Sequence, residues 1–155
     1  NAGIAVCAHI GYTPQIHGDK ASVQGKQKAR AVEILEAASL LEQAGACMIV
    51  LELIPEALAA EITRRLAIPT IGIGAGRFCD GQVQVINDII GLSLRLFRHA
   101  KQYAQVREQL GVAIRAYVED VAARKFPTEH HASVLPEETY SAIVEWVRTH
   151  EKAVS

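Results

Sequence analysis

The sequence predicts an α/β protein in which a parallel β-sheet is covered by helices. Two observations support this prediction: short apolar runs alternate along the chain with segments of helical periodicity, and those apolar runs are continuous. Continuous apolar strands are typical of parallel sheets, which are buried on both faces. The 155 residues suit one domain of ordinary size. They are too few for a complete eight-stranded β/α barrel, which needs roughly 200 residues or more.

The first half of the chain contains two predicted strands, each followed by a helix. An apolar run over 3–8 predicts the first strand, and a loop containing Gly and Pro follows over 9–27. Residues 28–44 have the apolar spacing of a helix. A second buried strand is predicted over 46–52, and a helix that begins with a proline is predicted over 55–66.

The second half begins with a third predicted strand over 68–74, which leads into a glycine-rich loop. Alternation over 82–86 favours a fourth strand without excluding a helix. Residues 94–124 have a mostly helical pattern with a break near Gly111. A polar, histidine-rich connector then leads to a last amphipathic helix over 136–152.

Composition argues against several classes of function. Sixteen Lys and Arg balance seventeen Asp and Glu, so we expect no nucleic-acid surface. No apolar run approaches the roughly 20 residues of a membrane span, and we expect no membrane partner.

An odd number of cysteines without a secretory signal indicates a reducing, cytoplasmic compartment. Cys7 and Cys47 lie in apolar runs and are predicted to be buried thiols, whereas Cys79 lies in the glycine loop.

Candidate functional residues follow from the rule that parallel β/α folds place their sites at the carboxyl ends of strands. Glu52 ends the second predicted strand between apolar neighbours. Desolvation there favours the protonated form of a carboxyl group and so makes it a stronger base. Glu52 is therefore a candidate general base; the alternatives are a residue that caps the following helix or an ordinary surface residue. His9, at the predicted end of the first strand, is a candidate catalytic residue or a hydrogen-bonded structural histidine.

The glycine loop after the third strand is the other candidate site. Gly72, Gly74 and Gly76 do not match a phosphate-binding fingerprint, because no G-x-G-x-x-G or G-K-[ST] pattern is present. Glycines at Gly74 and Gly76 allow either a tight backbone turn or the close approach of a ligand. The six histidines show no H-x-x-x-H or H-E-x-x-H spacing, so a zinc site within this chain is not expected.

Several segments, in order along the chain, resemble the ketopantoate hydroxymethyltransferase family. They are H-I-G-Y-T-P-Q at 9–15, V-Q-G-K at 23–26, I-P-T-I-G-I-G-A-G at 68–76 with C-D-G-Q-V at 79–83, D-I-I-G-L at 88–92 and F-P-x-E-H at 126–130. The resemblance covers residues 4–131. Such a collinear series is far more specific than any one of its motifs.

The resemblance implies the C-terminal half, strands five to eight, of a (β/α)₈ barrel of the phosphoenolpyruvate mutase-like superfamily. It implies transfer of a hydroxymethyl group from 5,10-methylenetetrahydrofolate to 3-methyl-2-oxobutanoate, which gives ketopantoate for pantothenate and coenzyme A synthesis. In this family Mg²⁺ holds the 2-oxo acid and polarises its carbonyl group. The position of Glu52 corresponds to the general base, and that of His9 to a histidine that contacts substrate.

The resemblance also implies that the family's metal-binding carboxylates lie in an N-terminal half, which this chain lacks. We therefore expect no metal ligands in this chain, and no activity from it alone. The family further implies a homo-oligomer, commonly a decamer. Departures from the family pattern occur at Ala8, Tyr12, 18–22 and Asn87, all on loops or strand ends near the expected site.

The predicted domain organisation is a barrel portion over 1–133 and a helical extension over 134–155. Two alternative functions remain open from sequence. One is a different enzyme of the same superfamily that makes or breaks a carbon–carbon bond in a 2-oxo acid. The other is a half barrel without catalytic activity that serves as an assembly subunit.

Overall fold

The architecture is a four-stranded parallel sheet with helices between its strands. The computed structural model describes residues 3–18 and 21–150. Among these residues the strands lie in the order β1-β2-β3-β4. The elements are β1 (Cys7–Gly11), α1 (Pro14–His17), α2 (Lys28–Gln43), β2 (Met48–Glu52), α3 (Glu56–Arg65), β3 (Thr70–Ile73), β4 (Gly81–Gln82), α4 (Ile86–Ile89), α5 (Val106–Ala122), a 3₁₀ turn (Glu129–His131) and α6 (Glu137–His150). The predicted α/β class with a parallel sheet is confirmed.

The hydrophobic core lies between one face of the sheet and the helices α2 and α3. Successive strand residues point to opposite faces, so every second residue of β1 and β2 faces these helices. The buried residues that form this core include Ala8, Ile10, Ile34, Ala38, Ile49, Leu51, Ala59 and Ile62. This packing fixes which residues of each strand are left for the opposite face.

The opposite face of the sheet is uncovered among the described residues. Cys7 and His9 of β1 are exposed, and so is Met48 of β2, while Val50 and Glu52 are only partly buried. Parallel sheets are normally covered on both faces. The candidate residues His9 and Glu52 therefore lie on the face that has no cover in this structure.

Two expectations about the first strand are corrected by the structure. The strand was predicted over 3–8 but spans Cys7–Gly11, because its residues pair with β2 from Cys7 opposite Met48 to Gly11 opposite Glu52. His9 consequently lies inside the strand and not at its end. Cys7 and Cys47 were predicted to be buried, yet both thiols are exposed. Cys7 is exposed because it lies on the uncovered face.

The helical prediction over 94–124 was correct only for its second part. Helix α5 begins at Val106 and continues to Ala122 without a break at Gly111. The residues before it have no regular structure, because the chain folds back on α4. Backbone N–H groups of Tyr103 and Val106 donate to the carbonyl groups of Ile89 and Ile90, respectively. The predicted helices over 28–44 and 55–66 are confirmed, with ends that differ by at most one residue, and so is the last helix from Glu137 to His150; its predicted end at 152 lies outside the described residues.

Contacts divide the chain into two compact units, Asn1–Arg107 and Glu108–Ser155. The first contains the sheet, α2 and α3. Within the second, the ring of Phe126 makes edge-on contacts with Tyr117 and with His131, at centroid distances of 5.7 and 4.8 Å. All described residues of α6 are exposed. No helix in the described part of the chain has the length and apolarity required to cross a bilayer.

Candidate functional site

His9 and Glu52 form an ion pair on the uncovered face of the sheet. His9 is paired with Val50 in the β1–β2 register, and Glu52 lies two residues further along β2, on the same face as Val50. Nε2 of His9 lies 2.9 Å from Oε2 of Glu52. The Glu52 side chain is 16% exposed and that of His9 is 33% exposed. The two residues that the sequence singled out separately are thus brought together.

The backbone of Glu52 is held by the end of β1. The N–H group of Tyr12 donates to the Glu52 carbonyl oxygen at 2.8 Å. Gly11 has φ +93°, and a Cβ there would overlap that same oxygen and lie 2.8 Å from Cγ2 of Ile54. Only glycine allows the two strand ends to approach this closely. Gly11 belongs to the H-I-G-Y-T-P-Q segment at 9–15. Its role could not be predicted from that segment, because it depends on a contact with a residue far away in the sequence.

The residue after Glu52 has an unusual backbone conformation. Leu53 has φ +48°, a left-handed conformation that costs a non-glycine residue of the order of 1–3 kcal/mol. The N–H group of Leu53 donates to the carbonyl oxygen of Ile73 at 2.9 Å, and the Leu53 carbonyl oxygen accepts from the N–H group of Gln24 at 2.7 Å. The side chain is buried. The chain therefore turns sharply directly after the carboxylate, and two neighbouring segments hold the turn in place.

Gly74 and Gly76 both have left-handed backbone conformations, with φ +65° and +82°. A Cβ at Gly74 would lie 2.8 Å from Leu53 and 3.1 Å from the His99 ring, and one at Gly76 would lie 2.5 Å from Glu56. These neighbours leave no room for a side chain. Both glycines therefore allow tight backbone turns, as one of the two sequence alternatives predicted, and both also line a cavity.

That cavity has a volume of about 870 Å³ and lies beyond the carboxyl ends of β2 and β3. Its polar lining comes from Lys26, Glu56, Arg77, Gln82, Arg98 and His99. Neither Glu52 nor His9 lines it. The predicted site residues thus separate into two neighbouring groups, the ion pair on the sheet face and the glycines in the cavity. Arg98 and His99 were missed because their segment was predicted to be a helix with a solvated face.

Asp80 has a structural role at the opposite, amino-terminal edge of β3. Its Oδ2 accepts hydrogen bonds from the N–H and hydroxyl groups of Thr70, at 2.8 and 2.9 Å. The backbone N–H of Asp80 donates in return to the Thr70 hydroxyl oxygen. The N–H of Thr70, followed by its hydroxyl, lowers the pKa of Asp80. These hydrogen bonds hold the start of β4 against the start of β3.

Cys79 is not arranged as a reactive thiol. Partial burial raises the pKa of its thiol, which outweighs the opposing effect of hydrogen bonds with Thr63 and Thr70. The thiolate is the reactive form of cysteine, so a raised pKa disfavours reaction at neutral pH. Cys79 instead packs against the hydrophobic core.

The described residues contain no cluster of three potential metal-binding side chains. Within 3–18 and 21–150, no three His, Cys, Asp or Glu side chains are grouped so that they could hold a metal ion. Mg²⁺ requires near-octahedral oxygen coordination. On the uncovered face Glu52 offers one carboxylate, and its Oε2 is already bonded to His9.

Comparisons with known proteins agree on one family. A sequence profile described as ketopantoate hydroxymethyltransferase matches residues 1–129. The chain is 51% identical over 138 residues to the 3-methyl-2-oxobutanoate hydroxymethyltransferase of Roseiflexus sp. (strain RS-1). The matched region covers 87% of this chain and 50% of that protein. It is 44% identical over 151 residues to the enzyme of the same name from Geobacillus sp. (strain WCH70), covering 96% of this chain and 54% of that protein. The chain therefore spans about half the length of these curated relatives.

Proposed function

The chain belongs to the ketopantoate hydroxymethyltransferase family, and we propose that it supplies the half of such an enzyme that carries the general base. The reaction is transfer of a hydroxymethyl group from 5,10-methylenetetrahydrofolate to 3-methyl-2-oxobutanoate. Overall, the folate donor, the 2-oxo acid and one water give ketopantoate and tetrahydrofolate. The observation that carries this proposal is the Glu52 carboxylate, largely buried at the end of β2 and bonded to His9 at 2.9 Å.

Glu52 acts as the base in this proposal. Its carboxylate takes the C3 proton of the 2-oxo acid, and the electron pair of the broken C–H bond forms the enolate. The enolate carbon bonds to the methylene carbon of the donor as one of that carbon's two C–N bonds breaks. Water then replaces the second nitrogen, which leaves the hydroxymethyl group on the product and releases tetrahydrofolate. His9, whose Nε2 lies 2.9 Å from Oε2, orients the carboxylate and leaves Oε1 to accept the substrate proton. A positioned base of this kind typically contributes about 10²–10⁴-fold to rate. His9 is in addition proposed to contact the substrate, as in the family.

We propose that a second set of strands covers the uncovered face and completes an eight-stranded barrel. The described strands then correspond to strands five to eight, within the phosphoenolpyruvate mutase-like superfamily. The uncovered face of β1 and β2 supports this, as does the twofold greater length of the relatives. In this proposal the N-terminal half carries the carboxylate ligands of Mg²⁺, the protein is a cytoplasmic homo-oligomer such as a decamer, and the chain alone has no transferase activity.

The test is a proton-exchange assay on a full-length protein that contains this chain. The parent should exchange the C3 proton of 3-methyl-2-oxobutanoate for deuterium, and Glu52→Gln should lower the rate by at least 100-fold. Glu61→Gln is the matched control, because Glu61 pairs only with Arg64 and Arg65 on the outer face of α3 among the described residues. A Glu52→Gln protein that exchanges at the parental rate would rule out Glu52 as the base. A parent without exchange would favour the assembly-subunit alternative.

A further inference from the structure

The cavity beyond β2 and β3 carries an excess of positive charge. Among its lining residues, Lys26, Arg77 and Arg98 are cations and Glu56 is the one carboxylate. Glu56 is engaged with Arg77: Nε of Arg77 lies 3.4 Å from its Oε1, and the Arg77 N–H donates to its Oε2 at 3.2 Å. No carboxylate within the described ranges pairs with Lys26 or Arg98. The cavity thus has two uncompensated cations, with His99 beside them.

The remaining walls of the cavity are apolar or formed by backbone. Val23, Ile54 and Pro55 provide apolar surface, and Gly74 and Gly76 provide backbone without side chains. A volume of about 870 Å³ is within the range of roughly 300–1,000 Å³ that holds cofactor-sized molecules. The cavity therefore suits a ligand that combines an apolar body with at least two negative charges.

We propose that this cavity binds the glutamate tail of the folate donor, with the tail carboxylates on Lys26 and Arg98. The inference rests on the proposed function and adds to it the place of the donor. A folylpolyglutamate has the required chemistry: an apolar aminobenzoyl group joined to a glutamate tail, which has two carboxylates in the monoglutamate and one more for each further glutamate. Lysine and arginine both form charge-assisted hydrogen bonds with carboxylates.

The 2-oxo acid is a second source of a carboxylate, but the geometry disfavours it. The C3 proton of that acid must come within hydrogen-bond reach of Glu52, about 2.6–3.2 Å between heavy atoms. Glu52 does not line the cavity, whose wall begins two residues further along the chain at Ile54. The acid is thus limited to poses that keep its C3 carbon at Glu52, which is not among the residues that line the cavity. A long molecule that reaches the site from outside has no such limit.

The test uses steady-state kinetics of a full-length protein containing this chain, with monoglutamyl and triglutamyl 5,10-methylenetetrahydrofolate as the probes. The parent should have a KM for the triglutamate at least fivefold below that for the monoglutamate. Lys26→Met and Arg98→Met should each raise the triglutamate KM by about 5- to 20-fold and remove the preference. Arg98→Lys keeps the charge and should restore most of the affinity. Arg95→Met is the matched control, because Arg95 lies over the Phe97 ring and does not line the cavity.

The KM for 3-methyl-2-oxobutanoate, measured by proton exchange without folate, distinguishes the two sources of carboxylate. It should change less than twofold in Lys26→Met and Arg98→Met. A rise in this KM with no change in the folate KM would assign the cations to the oxo acid and overturn the inference. An unchanged triglutamate KM in both variants would also overturn it, while normal proton exchange in the parent would leave the proposed function standing.

Discussion

Replacing Gly11 by alanine tests how closely the backbone of β1 supports the carboxylate of β2. Two penalties are expected in the free energy of unfolding. The left-handed conformation at φ +93° costs alanine about 1–2 kcal/mol relative to glycine. The new methyl group would in addition overlap the Glu52 carbonyl oxygen and press on Ile54.

The second penalty is worked from these contacts. Overpacking in a dense region costs about 1–3 kcal/mol, and loss of the Tyr12 hydrogen bond to Glu52 costs about 0.5–1.5 kcal/mol. The total expected destabilisation for Gly11→Ala is therefore about 2.5–6.5 kcal/mol. Gly45→Ala is a closely matched control. Gly45 has nearly the same φ, +96°, but a Cβ there has nothing within 4 Å, so only the first penalty of about 1–2 kcal/mol applies.

The assay is denaturant unfolding of the parent and both variants in a full-length protein that contains this chain, followed by the proton-exchange rate of each folded variant. We expect Gly11→Ala to be at least 1 kcal/mol less stable than Gly45→Ala. It should also exchange the substrate proton at least tenfold more slowly, because Glu52 must move to admit the methyl group. Equal destabilisation of the two variants, with equal exchange rates, would show that a methyl group at position 11 does not disturb Glu52.

Two further predictions concern groups away from the ion pair. Thr70 lowers the pKa of Asp80 in the folded state. The ionised carboxylate therefore stabilises the fold fully above the pKa of about 3.9 that Asp has in the unfolded chain, and this contribution is lost as the pH falls through the lower pKa of the folded state. Asp80→Asn should therefore flatten the acid side of a plot of unfolding free energy against pH; an unchanged slope would contradict this. Cys7 should react rapidly with a thiol reagent in this chain alone and at least tenfold more slowly when an N-terminal half is joined to it, as mass spectrometry of the labelled peptide can show. Equal labelling in both proteins would mean that the added half does not cover the face of β1.

The helices α2 and α3 were predictable because their signals are local. The spacing of apolar residues over 28–44 and the proline before α3 are read within one segment, and tertiary contacts did not override them. The start of β1 was not predictable in the same way. Residues 3–6 are as apolar as a strand requires, yet strand pairing begins only at Cys7, where β2 provides a partner.

Half of the candidate site could be predicted from sequence, because it too depends on a local signal. That Glu52 and His9 share one edge follows from the rule for parallel strands, which needs only approximate strand positions. The positions of Arg98 and His99 in the cavity could not be predicted from sequence, because the path of their segment depends on hydrogen bonds to α4.

The distance between His9 and Glu52 also depends on how β1 and β2 are aligned, since the two residues are diagonal neighbours across one strand pair. A slip of β1 by one residue turns His9 toward the helices, because side chains alternate between faces. A slip by two residues keeps the face but moves His9 by about 6.6 Å along the strand. The one-residue slip also removes Ala8 and Ile10 from the core, whereas the two-residue slip keeps both facing the helices and loses only the ion pair. In the proposed enzyme the proton-exchange rate is thus also a measure of correct strand alignment. A folded fraction with β1 misaligned by two residues would lose exchange activity without losing secondary structure.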